Sequence, residues 1–313
     1  MKKLLVSILA GSLILNIYFV IDKYDKTPVA LRTTQEGSQY QFLSPRIFSE
    51  NQNYLIVNFV TLRKYMQQFT SQLNYKTGVY FEYLPSGTSI GINEKESFVP
   101  ASLLKTPLAM GIYKHFENGT LKPSDLVQMD DKSRNQGFGK LWKLKTGTSL
   151  SVEQALDHLI RESDNTAQNL LLKKISTEEI DKVFDALDIP KIRDGKGEAL
   201  VTAKNYSSIL RCLYLACYLS QSNSNQLLQQ LTQTEFNDKL PATIPSSIPV
   251  AHKIGEHTLP NNQEKSTFTD CGIVYLPKRP YLLCVMVEAD ESTATSIIAS
   301  YSKIVFDYIQ AYQ

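Results

Sequence analysis

The chain of 313 residues is 42% hydrophobic and 20% charged, with a formal net charge of +2. That composition supplies ample apolar side chain for a packed core. No basic stripe interleaved with aromatic residues occurs, which argues against nucleic acid as a partner.

Met1, Lys2 and Lys3 precede residues 4–21, an uncharged and mostly apolar run closed by Asp22 and Lys23. A run of about 18 such residues is just long enough to cross a bilayer, and lysines on its inner flank orient the rest of the chain outward. Residues 1–23 are therefore read as a signal anchor in the cell membrane that carries an extracytoplasmic domain. A cleaved secretory signal is the alternative, and either one exports the domain. Residues 24–50 are polar, contain Pro28, Gly37 and Pro45, and are read as a linker.

The folded domain is placed at 51–313. Residues 54–73 set Leu55, Val57, Phe59, Leu62, Tyr65, Met66 and Phe69 on a helical stripe. Two alternating runs, 78–83 and 89–92, flank Pro85-Ser86-Gly87 and predict a β-hairpin. A helix follows from Ser102 to about Asn118, stopped by Gly119. Residues 120–150 are polar and turn-rich, and the stretch around Trp142 reads as a surface loop. Ser151-Val152-Glu153-Gln154 has the form of a capping box opening a helix that runs to about Glu162. Helical pattern continues over 166–174, 178–187 and 203–219, the last preceded by a glycine- and charge-rich stretch at 191–198. Strands are predicted at 250–254, 268–276 and 281–288, and an amphipathic helix at 292–312. Strands from both ends of the chain with a helical block between them predict an α+β fold, an α/β sandwich. Its antiparallel sheet would be flanked by helices, an all-helical lobe would be inserted, and a cleft would form where the two meet.

Ser102-Leu103-Leu104-Lys105 is an S-x-x-K pattern. Residues three apart on a helix share a face, so the lysine amine can lie beside the serine hydroxyl. A serine is a weak nucleophile until a base takes its proton, and a lysine whose pKa is depressed by burial can be that base. The pattern is common by itself, about one per chain of this length by chance, and needs context. A second copy, Ser300-Tyr301-Ser302-Lys303, falls inside the terminal helix and is read as structural. Ser163-Asp164-Asn165 lies in a break between two helices, where it alone would read as a cap or polar turn. Lys253-Ile254-Gly255 ends an apolar strand, where it alone would read as a solvated strand end. His115, His158, His252 and His257 show no metal-ligand spacing and no glycine-rich phosphate loop occurs, so neither metal nor cofactor is expected. Cys212, Cys217, Cys271 and Cys284 form no C-x-x-C pair. They are expected as small buried residues, with a Cys271–Cys284 disulfide as the lesser alternative.

Taken in this order, the three motifs resemble those of the serine β-lactamase and penicillin-binding superfamily, nearest to its class A β-lactamase-like branch. The resemblance runs over 51–313 and includes the phrases Val250-Ala251-His252-Lys253-Ile254-Gly255-Glu256 and Thr269-Asp270-Cys271-Gly272-Ile273-Val274-Tyr275. It implies a serine hydrolase that cleaves a cyclic amide C–N bond through an acyl-enzyme on Ser102. Lys105 would act as base or proton relay. Ser163, aided by Lys253, would pass a proton to the leaving nitrogen, and Asn165 would hold the substrate amide and Lys105. The N–H groups of Ser102 and of Glu256, the latter following Gly255, would form the oxyanion hole. The implied substrate is a β-lactam or a cell-wall peptide, and a monomer is expected.

Two departures qualify that implication. No E-x-x-L-N pattern occurs between Asn165 and Thr202. Glu198-Ala199-Leu200-Val201 comes nearest, making Glu198, with Asp194 behind it, the candidate deacylation base against a plain solvated carboxylate. General base catalysis is worth about 10²–10⁴ in rate, so its loss would leave a slowly hydrolysed acyl-enzyme. Ile254 stands where the family carries a threonine or serine whose hydroxyl helps hold a substrate carboxylate, a bond worth roughly 1.5–3 kcal/mol. Three functions are therefore carried forward: a β-lactamase-like hydrolase, a peptidoglycan DD-peptidase or penicillin-binding protein with slow deacylation, and a non-catalytic sensor or binding protein on this scaffold.

Overall fold

The computed structural model describes residues 41–42 and 58–311. The expected anchor at 1–23 lies outside them, as does the expected linker except for Gln41 and Phe42. Phe42 is fastened to the folded domain. Its N–H donates to Asn225 Oδ1 (2.9 Å), its carbonyl accepts from Tyr275 Oη (2.8 Å), and its ring meets that of Tyr275 edge-on. Among the described residues no helix is long and apolar enough to cross a membrane.

From residue 58 on, the described elements begin with α1 (Val60–Ser71) and the hairpin β1 (Lys76–Tyr83) and β2 (Thr88–Ile92), then β3 (Ser97–Phe98), a 3-10 turn at Ala101–Leu104 and α2 (Lys105–Glu117). The lobe follows: β4 (Leu126–Gln128), β5 (Ser149–Ser151), α3 (Val152–Arg161), α4 (Asn165–Leu171) and α5 (Glu178–Ala186). A small hairpin, β6 (Ile192–Arg193) and β7 (Ala199–Thr202), leads to α6 (Ala203–Leu215) and α7 (Gln221–Thr232). Strands β8 (Val250–His257), β9 (Thr267–Val274) and β10 (Tyr281–Glu288) and the helix α8 (Glu291–Ala311) complete the fold.

The main sheet is antiparallel in the order β2-β1-β10-β9-β8, which leaves β8 on an edge. Successive side chains on a strand point to opposite faces, and here both faces are covered. Val79, Phe81, Leu283, Val285 and Val287 pack with Leu62 and Met66 of α1 and Ile298, Tyr301 and Val305 of α8. Tyr80, Ala251, Ile273, Cys284 and Met286 pack with Ile209 and Leu210 of α6 and continue into the lobe. This double burial explains the near-continuous apolar run of β10. The α+β sandwich with an inserted helical lobe is thus the observed architecture.

Several local expectations are corrected. Ser102 does not open an α-helix: it lies in the 3-10 turn, and the α-helix begins at Lys105. Pro107 falls in the first turn of α2, where a missing N–H leaves no helical bond unmade. The cysteines are not free. Cys212 is bonded to Cys217 and Cys271 to Cys284, the latter two lying directly opposite each other in the β9–β10 register. The glycine- and charge-rich stretch 191–198 supplies the first strand and the turn of the β6–β7 hairpin, and α6 ends at Leu215, with Ala216 in the left-handed region at φ 50°. The capping box at Ser151 forms as read, with Ser151 Oγ accepting from Gln154 N–H at 3.0 Å and Gln154 Oε1 accepting from Ser151 N–H at 2.9 Å.

Candidate active site

The turn that carries Ser102 is seated against the edge strand. A Cβ at Gly255 of β8 would lie 2.5 Å from the Pro100 carbonyl oxygen and 2.7 Å from Thr269 Oγ1, so the close approach of strand and turn requires glycine. Ala101, just before Ser102, holds φ at 45°, a conformation costly for a residue with a side chain. Residues three apart in a 3-10 turn eclipse one another, which puts Ser102 and Lys105 on one side. Lys105 is 2% exposed. Its Nζ donates to the Ser163 carbonyl, to Ser163 Oγ (3.2 Å) and to Asn165 Oδ1 (2.6 Å). Burial pushes the Lys105 amine down to about 7, against the opposing pull of the Asp164 carboxylate.

Ser163 sits where the chain leaves α3 and turns into α4, with φ 53°, again left-handed. Asp164 holds this kink. Its buried carboxylate caps α4 by accepting from Ala167 N–H (2.8 Å) and ties down the facing loop by accepting from Lys140 N–H (2.6 Å) and Leu141 N–H (2.8 Å). Gly139 leaves room for it: φ there is 86°, and a Cβ would fall 2.0 Å from Asp164 Oδ2. The same loop receives Asn165, whose N–H donates to the Phe138 carbonyl (3.1 Å) and whose Nδ2 donates to Asn135 Oδ1 (3.2 Å).

Lys253 reaches in from β8. It is fully buried, and its Nζ donates to Ser163 Oγ (2.8 Å) and to the Ile254 carbonyl (3.3 Å). Burial, followed by the charge of Lys105, pushes its amine well below the ordinary lysine range. Ser163 Oγ thus accepts from two lysines. A hydroxyl has two lone pairs and one proton, so with both lone pairs engaged the Ser163 proton is left to be given elsewhere. Phe236 lies over Lys253, with the ring centroid 5.9 Å from Nζ, and its ring neighbours that of Phe138 at 6.0 Å.

Of the residues singled out in the sequence, Lys105, Ser163, Asn165 and Lys253 form one hydrogen-bonded cluster, and Gly255 abuts the Ser102 turn. Glu256 follows on β8, and its carboxylate pairs with Lys239 at 2.9 Å. Ile254 is 2% exposed. Glu198 and Asp194 belong to the exposed end of the β6–β7 hairpin. The Glu198 N–H donates to Asp194 Oδ1 (2.9 Å) and its carbonyl accepts from Asp194 N–H (2.9 Å), while Asp194 Oδ1 also takes Lys196 N–H (2.8 Å), so Asp194 is a turn-builder. Ser300 and Lys303 are structural: Ser300 Oγ donates to the Ser296 carbonyl (2.8 Å), and Lys303 pairs with Asp307 (2.7 Å). Sequence reading missed Asn135, Phe138, Phe236 and Lys239, which no local pattern marks, and it missed the clamp made by Asp164. An acid ahead of a helical run was the available signal for that clamp.

Comparison with known proteins agrees with this geometry. A model described as the beta-lactamase enzyme family matches residues 61–309. Beta-lactamase VEB-1 of Pseudomonas aeruginosa is 25% identical over 264 residues, covering 75% of this chain and 86% of the relative. The solved structure of PBP-A superposes with a TM-score of 0.72 at 21% identity, covering 80% of this chain and 97% of that one, and so shares the fold. A mutant of PBP-A, solved as an acyl-enzyme complex with penicillin G, superposes equally well, with a TM-score of 0.72 at 22% identity over 80% of this chain and 97% of that one. The match over most of the domain, together with the common fold, means that this chain belongs to the beta-lactamase enzyme family and is a serine hydrolase.

Proposed function

We propose that the domain is exported, is held at the membrane by its N-terminal segment, and is acylated on Ser102 by a β-lactam or a related amide in the class A manner. The observation that carries this reading is the hydrogen-bonded array Lys105–Ser163–Lys253 beside the Ser102 turn. A neutral Lys105 amine takes the Ser102 proton as Oγ attacks the carbonyl carbon. The oxyanion is received by the N–H groups of Ser102 and Glu256, donors of a kind worth roughly 3–4 kcal/mol each. Ser163, held by both lysines, then gives its proton to the leaving nitrogen and is reprotonated by the array, which leaves the acyl group on Ser102.

A second reading, a penicillin-binding type that releases its acyl group slowly, is favoured by one observation. Glu198, the nearest sequence candidate for the deacylation base, is exposed and tied through its backbone into a hairpin turn. The penicillin G acyl-enzyme solved for a PBP-A mutant supports the same chemistry. The test is intact-protein mass against time with benzylpenicillin, with Ser102→Ala alongside. An adduct on the parent enzyme that is absent from the variant is expected. The absence of both an adduct and penicillin consumption would overturn the proposal, and a fleeting adduct with fast consumption would reject slow release.

A further inference from the structure

Three buried lysine amines lie beside β8 and the Ser102 turn, and none is open to a ligand's anion. Lys105 and Lys253 are 2% and 0% exposed and spend their hydrogen bonds on Ser163, Asn165 and the Ile254 carbonyl. The third, Lys239, is 1% exposed. Its Nζ lies 2.9 Å from Glu256 Oε1 and 3.1 and 3.3 Å from the two oxygens of Asp238. Burial works against its charge, but the two carboxylates outweigh that and hold its amine above the ordinary lysine range. The lysine is also fixed in place, because the next residue, Leu240, donates its N–H to Asp270 Oδ2 (3.0 Å) and accepts from Ser302 Oγ (2.6 Å).

One ammonium therefore serves two carboxylates, and the cluster keeps one negative charge. Its accessible members are the acids: the Glu256 side chain is 14% exposed and that of Asp238 is 57%, against 2% for Lys239. The cluster lies close to the reacting atoms, since Glu256 follows the glycine that packs on the Ser102 turn. Ile254, between Lys253 and Gly255, offers no donor. A carboxylate brought to this edge would lose its hydration beside two other carboxylates and find the local cation already engaged, whereas a neutral or positive group meets no such penalty.

We propose that Glu256, locked onto Lys239, is a specificity-determining residue that fills the anion position of the cleft from within, so that the enzyme selects amides or esters whose group beside the scissile carbonyl is neutral or cationic over those bearing a carboxylate. The inference rests on acylation of Ser102 and narrows its substrate class. The experiment follows acylation of the full chain by mass, with benzylpenicillin and with its methyl ester, each rate divided by that probe's own hydrolysis rate in buffer. The ester is expected to acylate roughly tenfold faster than the acid. Glu256→Gln, which leaves the Lys239 charge balanced by Asp238 alone and removes the surplus negative charge, is expected to bring that ratio to about one. Asp238→Asn, at the exposed partner, moves the ratio the same way by a smaller factor, and Glu256→Asp retains it. An acid that reacts as fast as the ester in the parent enzyme, or a ratio that both charge-removing variants leave unchanged, overturns the inference while leaving the serine chemistry intact. If neither probe labels Ser102, the acylation reading itself falls, and this inference with it.

Discussion

The Lys105 amine sets a pH dependence that can be worked out in advance. Burial, opposed by the Asp164 carboxylate, holds it at about 7, where a solvated lysine would titrate near 10.5. Only the neutral amine can take the Ser102 proton. With a midpoint near 7, roughly a tenth of the enzyme is competent at pH 6 and nine tenths at pH 8, so acylation rises about tenfold across that interval and then levels. The sign follows from the depression: a folded-state pKa below the ordinary value puts the active, deprotonated form in the neutral range. Asp164→Asn removes the charge that opposes the depression, so its midpoint moves to lower pH. The assay is the single-turnover acylation rate by mass or by a chromogenic cephalosporin, at constant ionic strength. A rate flat from pH 6 to 8, or one still climbing at pH 10 as an unperturbed lysine would dictate, refutes the role given to Lys105. A midpoint that does not move in a folded Asp164→Asn protein refutes the electrostatic account of it.

Ser163→Ala is expected to slow acylation by about 10²–10⁴. Because Lys253 Nζ donates to Ser163 Oγ at 2.8 Å, adding Lys253→Ala should cost much less than the product of the single losses, and full additivity in a kinetic double-mutant cycle would separate the two residues. Gly139→Ala places a Cβ 2.0 Å from Asp164 Oδ2 at φ 86°, and should destabilise the fold by about 3 kcal/mol or more in urea unfolding. Gly147→Ala, at φ 88° with nothing within 4 Å, should cost only about 1 kcal/mol. Equal losses would mean that the clamp is not the cause. Glu198→Ala should leave the decay of the acyl adduct within about twofold, and a drop nearer the 10²–10⁴ of a lost general base would restore it as the deacylating group. Iodoacetamide should label no cysteine in denatured protein prepared without reductant, and labelling of Cys271 and Cys284 would contradict their pairing.

Much of the site could be read from the sequence because its residues come as short patterns on elements with a clear period. The hairpin at 78–92, the break at Ser163 and the apolar start of the strand that carries Lys253 each declared themselves locally, and the order of the three motifs did the rest. What escaped depends on chain segments distant in sequence. Lys239 meets Glu256 only because the segment before β8 folds back along that strand, and Phe236, which lies over Lys253, meets Phe138 from nearly a hundred residues away. Cys271 and Cys284 are opposed by strand register, which spacing alone does not give. The helix α7 was overlooked because glutamine, asparagine and serine dominate it, and its buried face is made by Ser224, Leu227, Leu228 and Leu231 with Gln230. The 3-10 turn at Ser102 was read as α-helix because the side-chain pattern of a single turn does not separate the two.

The pairing of β1 with β10 also constrains the order in which the molecule is made. Lys76 and Glu288 are 212 positions apart, yet they close the end of that ladder with a 2.7 Å ion pair. The helical segment between them is contiguous and rich in local contacts, so it can organise while synthesis continues. The centre of the sheet cannot, because the partner of β1 is not yet available. A nascent chain therefore carries β1 with one open edge until β10 emerges, a state prone to pairing with other chains. Truncations that remove β10 should consequently yield aggregates and not smaller folded fragments.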